Sequence, residues 1–127
     1  MEVFAAFLVC HLVGDFALQT QWQAEHKRGG LGREPTARRA LVAHVVTYTV
    51  AFVPALVWLW DDLGVGVLAV AALVAGPHLV QDDGRLVAAY VRQVKRTDPS
   101  SHPAVTVAVD QTLHVAALFL LALVAAA

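Results

Sequence analysis

The chain has 127 residues and a net charge of -1; 58% of it is hydrophobic, only 15% is charged, and the mean hydropathy is +0.62. That length suits one domain, yet an ordinary soluble domain is about 25% charged and a chain this small has little interior in which to hide apolar side chains. The balance argues against a disordered protein, a nucleic-acid binder driven by basic charge and a soluble enzyme, while the single Cys10 excludes a disulfide framework or a cysteine zinc cluster.

The first apolar stretch, 3–18, is interrupted by His11, Gly14 and Asp15. Its start lacks the basic n-region of a cleaved signal peptide, so the segment is expected to be retained. Glycines 29, 30 and 32 with Glu34-Pro35 mark a flexible first loop. The second stretch, 40–60, holds no Asp, Glu, Lys or Arg and one His44; the third, 63–80, is equally free of these charges and holds His78. Residues 86–95 read either as a short amphipathic helix on the membrane surface or as the frayed end of the third helix. Residues 97–103 form a turn before the last stretch, 104–127, which carries Asp110 and His114. Gly14 and Gly76 are expected to allow close helix approach, and Pro54 and Pro77 to kink or start helical segments.

A helix of about 20 residues crosses a hydrocarbon core of about 30 Å. The expected fold is therefore an all-α integral membrane protein, one domain built as a four-transmembrane-helix bundle, with helices near 3–22, 40–60, 63–82 and 104–126. All the lysines and arginines fall in two connections: Lys27, Arg28, Arg33, Arg38 and Arg39 in the first, and Arg85, Arg92, Lys95 and Arg96 in the second. With four spans these connections share a side, which the positive-inside rule places in the cytoplasm of a multi-pass inner-membrane protein, with both termini outside. Trp58 and Trp60 then mark the outer interface, and Trp22 and Tyr90 the inner one.

The polar residues within the spans form a pattern. His11/Asp15, His78/Asp82 and Asp110/His114 are spaced i,i+4, and His44 has Tyr48 at the same offset. That spacing places both members of a pair on one helix face. In the derived orientation all seven ionisable residues share one layer in the inner half of the bilayer. Carboxylates there are costly to insert, so protons, imidazolium, a loop arginine such as Arg39 or Arg85, or a bound cation must neutralise them. Imidazole with carboxylate suits a divalent metal, zinc first, with manganese, iron or cobalt as alternatives. Either two metals share the set, or one metal is bound and some carboxylates orient imidazoles. Gln19 and Gln111 are possible lining residues, His26 and His102 read as solvated, and Cys10 as packing.

These residues resemble a bacterial integral-membrane family labelled domain of unknown function 3307. The resemblance rests on His11-Leu12-Val13-Gly14-Asp15 through Gln19, His44 with Tyr48, His78-Leu79-Val80-Gln81-Asp82 followed by Arg85, and Asp110-Gln111-Thr112-Leu113-His114. It spans nearly the whole chain. The family typically has Lys where Arg85 stands. The resemblance implies a helical membrane fold and the importance of these positions, and supplies no reaction. A looser likeness joins the chain to small membrane-bound metal-dependent hydrolases.

The residues thus point to a metal site formed by His11, Asp15, His44, His78, Asp82, Asp110 and His114. The first expectation is a metal-dependent hydrolase with Asp15 or Asp110 as general base. Its substrate would be lipid-linked or a phosphoester, and nucleic acid is no partner. A proton or metal-ion transporter and a di-iron redox protein are the alternatives, and assembly with further copies of the chain stays open.

Overall fold

The computed structural model describes residues 1–126, all in helices and their connections with no strand among them. Residue 127, the end of the fourth expected apolar stretch, lies outside the described residues. The first helix, α1 (Glu2–Leu12), runs into a widened π-helical segment at Val13–Ala17, where the Leu18 N–H donates to Val13 O at 2.9 Å, five residues back. The expected continuation to residue 22 does not occur. Thr20 instead caps a new helix, α2 (Gln21–His26): its hydroxyl accepts the Gln23 N–H and the Gln23 side chain accepts the Thr20 N–H. This reciprocal capping box competes with continuation of the preceding helix.

Helix α3 (Pro35–Ala51) starts earlier than the hydropathy suggests. Glu34 accepts N–H bonds from Thr36 and Ala37, at 3.1 and 2.5 Å, and Pro35 occupies the first turn, where its missing N–H costs nothing. Those amides, Ala37's above all, hold the Glu34 carboxyl below its usual range. The helix breaks at Phe52, ahead of Pro54, and resumes as α4 (Val53–Trp58). Next come α5 (Trp60–Leu63), one 3-10 turn at Gly64–Gly66 and α6 (Val67–Asp82), which absorbs Pro77 without ending. Gly84 adopts φ +80°, a conformation that favours glycine, and redirects the chain into α7 (Arg85–Gln93). The segment after α6 is therefore a helix of its own, burying Val87 and Val91 and exposing Arg92. The last helix, α8 (Pro103–Ala125), is tied to the preceding turn by the Thr106 hydroxyl, which donates to Pro99 O and His102 O.

Two helical runs are long and apolar enough to cross a membrane: Trp60–Asp82, with hydropathy 2.1, and Pro103–Ala125, with 1.9. Only 22% and 28% of their most apolar windows are buried. On α3 and α4, Val42, Val46, Val50, Val53 and Val57 form a similarly exposed stripe. Apolar surface of this extent marks a face that meets lipid or another protein.

The main apolar core gathers Phe7, Phe52, Ala55, Leu59, Val70, Val74 and Leu118. A smaller cluster of Val87, Val91 and Val109 docks α7 on α8. Gly14 lets α1 close on α3, since a Cβ there would stand 2.8 Å from Tyr48 Cδ2. Gly76 plays no such part: a Cβ there would meet nothing within 4 Å. The first loop is docked where its glycines suggested flexibility. Asp83, buried at the end of α6, accepts the Gly29 N–H on its backbone oxygen and the Leu31 N–H on its carboxylate, at 2.9 and 2.8 Å.

Candidate metal centre

Four elements converge on one buried polar layer. The π-helical segment after α1 carries Asp15, α3 carries His44 and Tyr48, α6 carries His78 and Asp82, and α8 carries Asp110, Gln111 and His114. His11, His44, His78 and His114 are all at most 2% exposed, and Asp15 and Asp82 nearly as enclosed. The inserted residue of a π turn alters which way the following side chains face, and here the segment holds both Gly14 and Asp15 against α3.

Asp15, His44, His78 and Asp82 each offer a ligand atom to one group. His44 Nε2 lies 3.1 Å from Asp15 Oδ1, 2.7 Å from Asp82 Oδ2 and 3.0 Å from His78 Nε2. His78 Nε2 lies 3.1 Å from Asp82 Oδ2 and 3.8 Å from Asp15 Oδ1. Two ligands held about 2.0–2.1 Å from a tetrahedral zinc ion would stand about 3.3–3.4 Å apart. The observed separations bracket that edge. Nδ1 of both rings is buried with no partner among the described residues, and the Tyr48 ring stacks on His78 with centroids 3.4 Å apart.

Asp82, Asp110 and His114 form a second group. His114 Nδ1 donates to the Asp110 backbone oxygen at 2.8 Å. A carbonyl only accepts, so in neutral His114 the proton is on Nδ1 and Nε2 is a lone pair. That Nε2 is buried, has no hydrogen-bond partner and faces Asp82 Oδ1 at 3.5 Å. In that tautomer two acceptors face one another, an arrangement that a cation or a proton between them would satisfy. The gap exceeds the 2.7–2.9 Å of a charge-assisted N–H···O bond by roughly 0.6 Å and is close to a ligand–ligand edge. Asp82 touches the first group through Oδ2 and the second through Oδ1, so it joins the two.

His11 stands beside these groups and belongs to neither. Gln111 decides its role. The Gln111 amide nitrogen donates to Asp15 Oδ2 at 3.1 Å, which turns its oxygen toward His11 Nε2, also at 3.1 Å. His11 therefore donates from Nε2 and accepts the Tyr48 hydroxyl proton at Nδ1, 3.0 Å away. The resulting chain, Tyr48 to His11 to Gln111 to Asp15, fixes the Asp15 carboxylate with Oδ1 toward His44 and His78. The i,i+4 spacing of His11 and Asp15 gives them a common neighbour in Gln111.

The cation touching these carboxylates is Lys27. Its ammonium donates to Asp82 Oδ2 at 2.8 Å and to Gln19 Oε1 at 2.5 Å. Arg85, one of the arginines expected in this role, is bound to Asp83 instead, at 2.6 and 3.2 Å, and Arg39 is exposed. Gln19 thus serves Lys27. His26 and His102 are exposed, as expected of solvated loop residues. Three carboxylates and one ammonium leave an excess of two negative charges when the histidines are neutral. The donor set and this charge suit one divalent cation.

A family model described as a protein of unknown function, DUF3307, matches residues 3–127. The chain belongs to the DUF3307 family. No curated protein and no solved structure matches it. The family description names no activity, so the chemistry rests on the residues. Sequence reasoning missed Lys27 and the buried Asp83. A lysine four residues after the Thr20-x-x-Gln23 box, at the end of a one-and-a-half-turn helix, is the signal that could have pointed back toward the layer.

Proposed function

We propose that this protein is an integral membrane metalloprotein whose His/Asp layer holds one or two divalent metal ions and hydrolyses a phosphoester or lipid-linked substrate. The single observation that carries the metal is the buried, unpartnered lone pair of His114 facing Asp82 Oδ1. The four-atom group around His44 and His78 supports it with tetrahedral spacing. Asp82, shared by both groups, would be a ligand whether one or two metals are held. Zinc is the first choice for this ligand chemistry, with manganese and iron next.

The bound metal would supply a water of lowered pKa and a polarised substrate oxygen. The protein's own groups do the rest. Asp110 is half-buried and lines a narrow cavity, so it can reach a proton on an incoming group. Asp15 has both oxygens engaged at 3.1 Å, whereas Asp110 accepts one longer 3.4 Å bond from Gln111, which favours Asp110 as the general base and Asp15 as a ligand. Lys27 and Gln111 orient the ligating carboxylates, a role whose loss commonly weakens metal sites.

In this reading four segments cross the inner membrane, a short first span of α1 with its π-helical continuation, then α3 with α4, α5 with α6, and α8, and the two basic connections face the cytoplasm. The outward valine stripe of α3 and α4 and the exposed faces of the two long runs support it. A conduit across the bilayer fits less well. Beyond the polar layer the helices close on Phe7, Phe52 and Leu118, and the polar atoms in that cluster are the Tyr48 hydroxyl, already bonded to His11, and the Cys10 thiol, with no carboxylate, imidazole or cationic side chain to carry an ion onward.

The test is metal content of detergent-purified protein by plasma mass spectrometry, beside Asp82→Asn and His78→Ala. One or two equivalents of a transition metal are expected in the parent, and about tenfold less or lower in either variant. Phosphodiester and phosphomonoester hydrolysis should track the metal content. Metal-free parent protein, purified without chelator and reconstituted with zinc, manganese and iron in turn, that binds none of them would overturn the reading.

A further inference from the structure

A groove of about 520 Å³ opens where the first loop, the start of α7 and the turn before α8 meet. Arg28, Arg85 and Arg92 line it, with Gly84, Asp98 and Ser100. A narrower cavity of about 50 Å³ shares Arg28, Gly84, Ala88 and Pro99 with this groove and reaches Lys27, Asp82 and Asp110. The groove therefore leads inward to the second ligand group. Its walls are pinned: Asp83 holds the first loop, and Thr106 holds the turn at Pro99.

The charges in the groove are unbalanced. Asp83 is taken by Arg85 and the Leu31 N–H. Asp98 accepts the hydroxyls of both Ser100 and Ser101 on Oδ2 and remains one carboxylate against Arg28 and Arg92, which leaves the groove one positive charge in excess. Arg28 and Arg92 have no ion pair or side-chain hydrogen bond among the described residues. The stem of Arg28 lies over Gly84, within 4 Å of where a Cβ would stand, and the residue lines both the groove and the narrow cavity. Guanidinium forks match phosphate oxygens two at a time.

We propose that this groove binds the phosphate group of the substrate, held by Arg28 and Arg92 with Arg85 at its rim. The narrow cavity would take the adjoining ester toward Asp82 and Asp110. This names the substrate class of the metal centre and rests on that reading for the hydrolytic step, while phosphate binding itself does not require it. The phosphate can belong to a lipid headgroup or to a soluble ester.

The experiment titrates inorganic phosphate into the full-length protein in detergent by calorimetry, before and after chelation, with metal content measured in every sample. Arg28→Gln/Arg92→Gln is compared with Arg33→Gln/Arg39→Gln, which removes the same charge from positions outside the groove. The expected result is binding that weakens about tenfold or more in the first pair and stays near the parent value in the second. Equal weakening in both pairs, undiminished binding in the first, or no binding by the parent would overturn the proposal. Metal content judges the metal centre separately: chelated protein that still binds phosphate through Arg28 and Arg92 supports the groove whatever the metal result. Nanodiscs with phosphatidic acid against phosphatidylcholine, and soluble glycerol phosphate, then compete with inorganic phosphate. Displacement by phosphatidic acid assigns a lipid headgroup, and displacement by glycerol phosphate alone assigns a soluble ester; both support the phosphate anchor.

Discussion

One end of the bundle is closed by Phe7, Phe52, Val70, Leu118 and Leu121 without a charged side chain, whereas the next turns of the same helix faces carry the buried histidines and aspartates. The change follows one register on every helix. Phe7 is followed at i+4 by His11, Phe52 is preceded at that offset by Tyr48 and then His44, Val70 and Val74 lead to His78 and Asp82, and Asp110 and His114 lead to Leu118. Residues four apart share a face, so each face is one ladder whose chemistry switches at a single depth. The two halves divide the labour. Burial in the apolar half stabilises the arrangement, and the polar half, costly to enclose, is held in place by it.

The sharpest break of this division pairs Phe52→Ala with His44→Ala. Phe52 is fully enclosed and meets Phe7 edge-on, with ring centroids 5.7 Å apart. Truncating a buried Phe costs about 3–5 kcal/mol, so Phe52→Ala should lower the thermal midpoint most, while its folded fraction keeps its metal. His44→Ala should do the reverse, losing metal with a smaller fall in the midpoint. Circular dichroism melts in detergent with metal analysis of the folded protein check both. Loss of metal from folded Phe52→Ala would show that the two halves are not separable in this way.

The next effect lies inside the polar half. Gln111→Leu removes the amide that bridges His11 and Asp15 and leaves the Asp15 carboxylate free to turn. A partner of this kind is commonly worth about 10–100-fold in metal affinity, and competition with a chromogenic chelator would read it. Tyr48→Phe acts one step further out, through His11, and should cost less. If Tyr48→Phe cost more than Gln111→Leu, the direction assigned to the chain of hydrogen bonds would be wrong.

The ladders explain why much of the site was legible in the sequence. The i,i+4 pairs on three helices and His44 with Tyr48 on the fourth required only helical periodicity to meet, and all seven ionisable residues do lie in one layer. His11 is different, because its exclusion from the ligand groups depends on Gln111 reaching across from α8, which no spacing within α1 reveals. The widened turn at Val13–Ala17 and the break before Thr20 reflect local bonds that compete with a continuous helix, so hydropathy alone overran them. Lys27 was hidden for a third reason. It lies in the basic connection, where charge counting treats all cations alike, and only the docking of that loop on Asp83 brings it to Asp82. The separate helix α7 depends on the positive φ of Gly84, a turn that the apolar pattern on either side does not record.

The smallest expected effect contrasts two glycines, one on each kind of surface. Gly76 is exposed, and a Cβ there would meet nothing within 4 Å. In Gly76→Ala the entropy gain of about 0.5–1 kcal/mol is opposed by the new Cβ meeting the Pro77 ring, so the midpoint should shift little and the metal site should be left untouched. Gly14 faces the polar layer, where the added methyl would stand 2.8 Å from the Tyr48 ring and 3.2 Å from its Cα. Backbone on one side and a ring stacked on His78 on the other leave that contact little room to relax. Gly14→Ala should therefore displace Tyr48, loosen its bond to His11 and weaken metal binding, with little change in helix content by circular dichroism. The two substitutions add the same methyl, so unchanged metal affinity in both would mean that the approach of α1 to α3 at Tyr48 does not hold the Asp15 carboxylate in place. Opposite outcomes would locate that control at the single turn where the first ladder changes from apolar to polar.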